Sequence, residues 1–467
     1  MDIQTRQSGK PIRLPRRVLL GGAAVSGTGI LLAACGAVAA TPAEETAPAE
    51  KDAEAKAETA PKAEPQVLRI SNYHSPEDAR WTALSQTFAA GAEALGITIE
   101  TPQEFREVWQ KRTTEFAAGT TTVDITYNQN NWALSGGLNG MFVEKFQLLK
   151  SSNVPVETYF AADIESWSWR GKLYALPFQS GGEAVMYNKH LFDQKGIPYP
   201  HKDWTYDEFL DACVKLTNAD DQKWAAFIGQ NGLHYMAGTF VYNFGGLLVN
   251  EDRSRAVFGE DQNAIRGFRF DVDLHIKHRV TPTDEARQAL PTGIRPMEAE
   301  MVAMEFNGIF RHNTIKAHIP LVEKLDFAPP PRGVRQTASL GGNAYSILTF
   351  SEVPDLAWDF LMWFHSEEGL VETPQFGAIA WPPTVWASKH PKWLQRFEGT
   401  KVLEVAHVWE TDGHDRLVTP ETSEAWQILR RGHILAALRG EMDAAEAMRL
   451  AAEELNELYS RRPEEWR

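Results

Sequence analysis

Two clusters of amide, aromatic and imidazole side chains are the residues of this sequence best suited to binding chemistry. The first cluster is Asn72, Tyr73 and His74, and the second runs from Tyr127 to Trp132 with four amide side chains between its aromatic ends. Amides offer hydrogen-bond donors and acceptors without charge, and aromatic rings offer flat apolar faces. This mixture suits a neutral polyhydroxylated ligand. An asparagine-rich turn beside a buried Trp132 is the alternative that these residues leave open.

The elements predicted around the clusters would bring them to one edge of a sheet. We expect strands at Val67–Ser71, Ile97–Ile99 and Val123–Tyr127. They are separated by a helix that begins at Pro76 with Ser75 as its N-cap, and by another from Gln103 to Ala118. Alternating strands and helices predict a parallel sheet with right-handed crossovers. Ligands gather at the carboxyl ends of such strands, which is where both clusters lie.

The segment from Gly171 to Phe192 predicts a hinge. Lys172–Leu176 has the composition of a strand, Gly181 and Gly182 follow, and Ala184–Tyr187 is apolar again. Two strands joined by a glycine-containing link, rather than by a tight turn, allow the chain to pass between two lobes that rotate relative to each other.

Further candidate positions follow the hinge. Asp326–Pro331 and Gly377–Pro383 are candidate second and third crossings, and Trp381 lies within the third. In the second lobe an apolar strand ends at Asn307, with Phe310 just after it. These positions could face a cleft between the lobes.

Length, charge and cysteine content limit the class of protein. A chain of 467 residues predicts two lobes with extensions, and a formal net charge of -15 argues against a nucleic-acid partner. The two cysteines, Cys35 and Cys213, cannot form a disulfide framework.

The N-terminal residues predict export and membrane anchoring. A basic segment precedes an uncharged run from Val18 to Ala34, and the closing Leu-Ala-Ala-Cys resembles a bacterial lipobox with Cys35 as the lipidated residue. The adjacent Arg16 and Arg17 are compatible with either twin-arginine or general export. Residues 36–65 are almost entirely Ala, Pro, Glu, Thr and Lys and predict a disordered tether.

The order of several short motifs resembles family 1 extracellular solute-binding proteins. These are the carbohydrate receptors of ABC importers, similar to maltose, multiple-sugar and glycerol-3-phosphate binding proteins. The motifs are G-K-L-Y-A-L-P, Y-N-K, D-W-T-Y-D-E-F-L, V-A-M-E-F-N-G and G-G-N-A-Y-S-I, behind the lipobox and tether. The family's usual acidic residue after the third strand is absent, because Asn128–Asn131 occupies that position.

The resemblance implies an α/β, two-lobe periplasmic-binding-protein-like fold of type II. It implies three interlobe crossings and a ligand cleft that closes between the lobes. We expect residues 1–35 to be the export signal and residues 36–65 the tether. We expect residues 66–178 with 332–370 to form the N-terminal lobe, and 183–326 with 378–467 the C-terminal lobe. The predicted ligand-binding residues are Asn72, His74, Tyr127, Asn128, Asn130, Trp132, Gln179, Tyr235, Asn307, Phe310, Asn343 and Trp381.

The implied partners are a carbohydrate and the transmembrane subunits of an ABC permease. The protein is expected to be a lipid-anchored monomer on the extracytoplasmic face of the membrane, with no catalytic residue, cofactor or metal. A secreted carbohydrate hydrolase is an alternative, although Ser180 lacks a nucleophile elbow because Phe178 replaces its glycine. A receptor of the same fold for a polyamine, peptide or glycerophosphodiester is another alternative, and it would need a charged cleft.

Overall fold

The computed structural model describes residues 66–102, 104, 108–228, 233, 236–315, 323–414, 417 and 419–466. Cys35, the export signal and the tether lie outside these residues, as do Tyr235 and the side chain of Asn130. Within the described part, no helix combines the length and apolar character needed to cross a membrane.

The strands form two main sheets and two small pairs. In chain order the strands are β1 (Val67–Arg69), β2 (Thr98–Glu100), β3 (Ile125–Gln129), β4 (Ser168–Trp169), β5 (Lys172–Leu173), β6 (Leu176–Gln179), β7 (Glu183–Asn188), β8 (Trp224–Phe227), β9 (Val302–Gly308), β10 (Leu325–Ala328), β11 (Ala338–Ser339), β12 (Asn343–Ile347) and β13 (Gly413–His414).

The first sheet carries both predicted binding clusters at one edge. Strand β1 is parallel to β2, and a parallel bridge between Ile70 and Ile125 joins β1 to β3. Strand β12 then runs antiparallel between β3 and β6. The predicted parallel arrangement of the first three strands is confirmed.

The second sheet has the strand order β10-β7-β9-β8. Strand β7 is antiparallel to both of its neighbours, and β8 is parallel to β9. The chain therefore leaves the first sheet after Gln179 and enters the second at Glu183. It returns to the first sheet between Ala328 and Asn343, so the prolines at 329–331 follow the edge strand β10 rather than interrupt it.

Helices cover both sheets. In chain order they are α1 (Ala79–Leu95), α2 (Val108–Ala117), α3 (Asn130–Leu138), α4 (Phe146–Ser151), α5 (Ala161–Ser166), α6 (Lys189–Lys195), α7 (Tyr206–Leu216), α8 (Met236–Asn243), α9 (Gln262–Ile276), α10 (Asp284–Gln288), α11 (Phe310–Ile315), α12 (Pro354–Phe364), α13 (Gln375–Ala378), α14 (Val385–Ser388), α15 (Pro391–Leu394), α16 (Val402–Asp412), α17 (Thr422–Arg430), α18 (Gly432–Leu438) and α19 (Ala444–Ser460). Single turns or short helices of other types lie at Val156–Thr158, Ala219–Asp221, Glu367–Val371, Gln395–Phe397 and Glu464–Trp466.

The start of α1 corrects a sequence prediction. The helix begins at Ala79 with Asp78 as its N-cap, not at Pro76 with Ser75 as its N-cap. The Asp78 carboxylate accepts a hydrogen bond from the backbone N–H of Arg80 at 2.9 Å, which satisfies a donor that the first helical turn leaves unpaired. Because the helix begins three residues later than predicted, the charged side chains of Asp78 and Arg80 lie at the edge of the first sheet.

Three chain segments lie side by side where the two sheets meet. The Ser180 backbone N–H donates to the Trp381 carbonyl at 2.9 Å, and the Gly341 N–H donates to the Gly181 carbonyl at 3.1 Å. At Gly342 a Cβ would lie 1.8 Å from the backbone oxygen of Gln179, so only glycine fits this crossing of two strands.

Candidate functional site

A cavity of about 520 Å³ lies at the edge of the first sheet, beside the chain segments that join the two sheets. Its lining combines residues that follow β1, residues of β3 and β6, the glycines before β12 and the first residue of α11. The lining residues are Tyr73, His74, Ser75, Asp78, Arg80, Tyr127, Gln129, Gln179, Ser180, Gly181, Phe310, Gly341, Gly342, Asn343 and Ala380. We call this space the polar cavity.

An aromatic pair forms one wall of the polar cavity. The rings of Tyr73 and Tyr127 are stacked, with centroids 4.6 Å apart and planes within 7° of parallel. Tyr127 is 2% exposed, and burial raises the pKa of its phenol well above the usual range. The phenol is therefore neutral and can both donate and accept a hydrogen bond.

An ion pair lies next to this wall. The Arg80 Nε donates to the Asp78 carboxylate at 2.9 Å, and Nη2 donates to its second oxygen at 2.5 Å. These hydrogen bonds raise the pKa of Arg80, so both groups remain ionised and the pair carries no net charge. Burial lowers the pKa of His74 to about 4, and the Arg80 cation adds to this effect while Asp78 opposes it. His74 is therefore neutral at pH 7.

The link between β6 and β7 also lines the cavity. The Gln179 side-chain oxygen accepts a hydrogen bond from the Ala380 N–H at 3.2 Å, and the Ser180 hydroxyl donates to the buried Asp163 carboxylate. Asn343 begins β12 between Gln129 and Gln179, to which it is paired in the sheet. Three amide side chains thus come from adjacent strands.

The second sheet contributes Phe310 to the lining, at the start of α11 and two residues after β9. The next residue, Arg311, is 3% exposed, and its Nε donates to the buried Glu305 carboxylate at 3.1 Å while Nη2 pairs with Glu298 at 2.5 Å. Asn307 also donates to Glu305, at 2.7 Å. This network fixes the end of β9 and the start of the helix that carries Phe310.

Five of the residues predicted from the sequence come together in the polar cavity. They are His74, Tyr127, Gln179, Phe310 and Asn343. They converge because they stand at strand ends or on the hinge, which is the feature that the sequence pattern could identify.

The other predicted residues that the structure describes are placed elsewhere. Asn72 is buried and accepts from the His74 N–H at 3.2 Å, and Asn128 is buried and donates to Ser346 at 2.7 Å. Trp132 stacks on Trp109 with ring centroids 5.8 Å apart. Asn307 is held by the Glu305 carboxylate, as described above.

Trp381 is likewise absent from the lining of the polar cavity. It is 1% exposed and packs edge to face on Trp393 and Trp409, with ring centroids 5.5 Å and 5.0 Å away. Its backbone carbonyl, rather than its ring, contacts the hinge at Ser180.

Several lining residues were not among the predicted ligand-binding residues. Asp78 and Arg80 lie in the Asp-Ala-Arg segment where α1 begins, and the incorrect helix start concealed their position. Gln129 and Tyr73 belong to the two predicted clusters but were not selected from them. Ser75, Ser180, Gly181, Gly341, Gly342 and Ala380 complete the set.

The chemistry available in the polar cavity is hydrogen bonding without net charge. Among the described residues that line it, the charged side chains are the mutually paired Asp78 and Arg80, and the remaining polar groups are neutral amides, hydroxyls and one neutral imidazole. Among the described residues, no group of three or more His, Cys, Asp or Glu side chains is arranged to hold a metal ion.

The two-sheet fold places a polar cavity at the edge of the first sheet. Residues 83–399 match the bacterial extracellular solute-binding proteins, and the chain belongs to that family. This match confirms the resemblance drawn from the sequence.

Individual relatives are distant in sequence. The lactose-binding protein of Rhizobium radiobacter is 24% identical over 208 residues, which are 42% of this chain and 46% of that protein. A binding protein of Brucella abortus is 26% identical over 177 residues, which are 34% of this chain and 39% of that protein. The chain thus matches less than half the length of these curated relatives.

Solved structures share the fold over most of the chain. A solute-binding protein of an ABC transporter from Thermotoga lettingae, bound with alpha-D-tagatose, has a TM-score of 0.69 at 21% identity and covers 85% of this chain and 100% of its own. The sugar-binding protein MalE from Xanthomonas citri has a TM-score of 0.72 at 14% identity and covers 85% of this chain and 98% of its own. The expected two-lobe solute-binding fold is therefore confirmed. The family and these neighbours are solute-binding receptors.

Proposed function

We propose that this protein is the extracytoplasmic receptor of an ABC importer for a neutral sugar or oligosaccharide. The observation that carries the proposal is the charge balance of the polar cavity, where the two charged side chains of the described lining, Asp78 and Arg80, neutralise each other. A polyamine, a peptide terminus or a glycerophosphodiester would bring an unpaired charge into this site, and burying such a charge is costly. Sugar hydroxyls would instead exchange hydrogen bonds with the amides of Gln129, Gln179 and Asn343.

Capture would occur by closure of the two lobes, with the predicted boundaries of residues 66–178 plus 332–370 and 183–326 plus 378–467. Phe310 stands on the side of the second sheet, whereas Tyr73 and Asn343 stand on the side of the first. Contacts from both sides form together only when the lobes are closed, so a bound ligand would favour the closed state. The closed complex would then deliver the sugar to the transmembrane subunits of the permease.

A solute panel tests the ligand class. The purified protein is incubated with neutral mono- and oligosaccharides, sugar alcohols, polyamines, peptides and glycerophosphodiesters. The change in melting temperature is measured first. Solutes that raise it are then tested for binding by calorimetry and analysed for reaction products. A neutral sugar is expected to raise the melting temperature and to be recovered intact. Shorter sugar products would support the hydrolase alternative, and a shift only with charged solutes would contradict the proposal.

Substitutions then locate the binding site. Truncating a desolvated aromatic anchor typically costs at least about 2 kcal/mol of binding, which is roughly thirtyfold in affinity. Phe310→Ala is expected to weaken binding of the selected sugar by about this factor. Phe350→Ala is the matched control, because Phe350 is 41% exposed and stacks on Phe116 outside the cavity lining. Equal affinities for the two variants would contradict the proposed site.

The proposal includes a lipid anchor at Cys35, supported by the lipobox-like sequence before it. The tether of residues 36–65 would span roughly 30 Å as a random coil and keep the receptor near the permease. In cell fractionation, the wild-type protein should remain with the membrane and Cys35→Ser should be released. A wild-type protein that fractionates as fully soluble would contradict the anchor and leave the ligand class unaffected.

A further inference from the structure

Phe310 lies where the polar cavity meets a second space of about 550 Å³. It lines both spaces, and it begins α11, a helix of six residues. A helix this short is not stable by itself in water, so contacts with the rest of the protein must set its position. The position of the Phe310 ring therefore depends on what holds the start of α11.

Backbone hydrogen bonds hold the chain up to this helix. The pairing of β9 with β7 extends to Gly308, and the Ile309 N–H donates to the Gly182 carbonyl at 3.0 Å. The His312 N–H donates to the Ile309 carbonyl at 3.0 Å. The backbone is thus fixed up to the residue before Phe310.

A buried charge network holds the second residue of the helix. Arg311 is 3% exposed, its Nε donates to Glu305 at 3.1 Å, and its Nη2 donates to Glu298 at 2.5 Å. Because a guanidinium is planar and its N–H groups have fixed directions, hydrogen bonds to two carboxylates fix its orientation. Arg311 is not among the described residues that line either space.

The two carboxylates depend on Arg311. Burial lowers the pKa of its guanidinium, but the charges of Glu305 and Glu298 and the hydrogen bonds to them outweigh burial and raise the pKa. The Oε2 atom of each carboxylate is buried and has no hydrogen-bond partner among the described residues. Loss of the cation would leave buried charge poorly compensated, which is costly, so this part of the chain would rearrange. Asn307 donates to Glu305 at 2.7 Å, so the rearrangement would extend to the end of β9.

We propose that Arg311 is a positioning residue for ligand binding. By joining Glu298 and Glu305 it fixes the start of α11, and it holds the Phe310 ring at the boundary between the two spaces without itself contacting the ligand. A ring that is already held in place costs less to order when a ligand binds, and this strengthens binding. The inference rests on the proposed sugar-receptor function and assigns Arg311 a role in that same site.

A double-mutant cycle tests the inference. Wild type, Phe310→Ala, Arg311→Met and the double variant are titrated by calorimetry with glucose, galactose, mannose, xylose, maltose, lactose, sucrose, trehalose and raffinose, and the cycle uses the sugar that wild type binds most tightly. Arg311→Met alone is expected to weaken binding at least about tenfold. In the Phe310→Ala background the same change should weaken binding less than about threefold, because the ring that Arg311 positions is already absent.

Arg112→Met is the matched control. Arg112 is 1% exposed and also joins two carboxylates, those of Glu104 and Glu115. None of these three residues is among the described lining of the two spaces. Arg112→Met should lower the melting temperature, as Arg311→Met does, and should change sugar affinity by less than about twofold.

A replacement variant is available if Arg311→Met does not fold. It combines Arg311→Met with Glu298→Gln and Glu305→Gln, so no buried carboxylate of the network loses its cation, and neutral replacement of a whole buried charge network is often tolerated. Its expected effects on sugar affinity, alone and with Phe310→Ala, are the same, because the guanidinium contacts are absent in it too.

The outcomes separate the two proposals. If wild type binds a sugar and Arg311→Met weakens binding equally with and without the Phe310 ring, the positioning role is overturned and the receptor function stands. An Arg311→Met protein that is less stable but binds the sugar as wild type does also overturns the positioning role. If wild type binds none of the named sugars, the proposed function fails and this inference fails with it.

Discussion

At the residue scale, His74 links the cavity to the pH dependence of stability. Its pKa is lowered from 6.5 to about 4, first by burial and then by the Arg80 cation. Between these two values the unfolded state binds more protons than the folded state, so the free energy of unfolding decreases as pH falls. The contribution is fully present above pH 6.5 and is lost as pH falls towards about 4.

We expect His74→Gln to remove this dependence. Thermal denaturation of wild type and variant between about pH 7.5 and about pH 4.5 should show the wild type losing more stability than the variant. If the melting temperatures of wild type and variant fall equally as the pH is lowered, burial of a neutral His74 does not contribute to the pH dependence of stability.

Trp381 is expected to stabilise the fold rather than hold the ligand. The side chain is 1% exposed and packs on Trp393 and Trp409. Truncating a buried tryptophan typically costs about 3–5 kcal/mol because it leaves a cavity. Trp381→Ala should therefore lower the midpoint of urea denaturation strongly, whereas Phe310→Ala should lower mainly sugar affinity. A Trp381→Ala protein of normal stability that no longer binds sugar would instead support the stacking role predicted from the sequence.

The contrast between Gln179 and Trp381 shows which site residues a sequence can reveal. Gln179 and Asn343 stand at strand ends or beside hinge glycines, and strand periodicity alone places them at the sheet edge. The orientation of Trp381 depends on packing against residues 12 and 28 positions further along the chain, which no local pattern contains. Asp78 was missed for a local reason, since Ser75 followed by proline is also a plausible helix start.

At the element scale, the segments that join the two sheets depend on glycines that allow close contact between them. A Cβ at Gly342 would lie 1.8 Å from the Gln179 backbone oxygen, and a Cβ at Gly182 would lie 2.2 Å from the Trp409 indole. At Gly181 the nearest atom would be 3.5 Å away, which is an ordinary contact. The glycines of these segments therefore differ in whether their surroundings leave space for a side chain.

Gly342→Ala is expected to destabilise the protein by about 1–3 kcal/mol, the usual cost of overpacking a dense region. Gly181→Ala is the matched control and should have a small effect. Urea denaturation of wild type and both variants measures the difference in unfolding free energy. An unchanged dependence of that free energy on urea concentration confirms that all three proteins undergo the same unfolding transition. If both variants lose a similar amount of unfolding free energy, the close contact with Gln179 is not the cause of the destabilisation.

The order of strands was more predictable than the packing between them. Val67, Ile125 and their neighbours alternate with helical segments, and this alternation predicts a parallel sheet. The insertion of β12 between β3 and β6 brings together residues more than 150 positions apart, and this pairing depends on the whole chain.

At the scale of the whole molecule, the two sheets and their helices meet at places besides the hinge. The Trp169 indole N–H donates to the Trp466 carbonyl at 2.8 Å, and Arg253 forms an ion pair with Glu165. Helix α3, which follows the cavity residue Gln129, contacts α17 near the C-terminus. Rotation of one lobe relative to the other must change at least some of these contacts.

We therefore expect sugar binding to change the shape of the protein. In the proposed complex, a ligand would contact Phe310 and Asn343 together only when the lobes are closed, so saturation should shift the population towards that state. Small-angle X-ray scattering should give a smaller radius of gyration with the selected sugar than without it. The matched control is Phe310→Ala at a sugar concentration about three times the wild-type Kd. There the wild type is about three-quarters bound and a variant with roughly thirtyfold weaker affinity is about one-tenth bound, so its scattering should change little. If wild type binds the sugar in calorimetry and its scattering profile does not change, the segment Phe178–Gly182 does not act as a hinge for ligand capture.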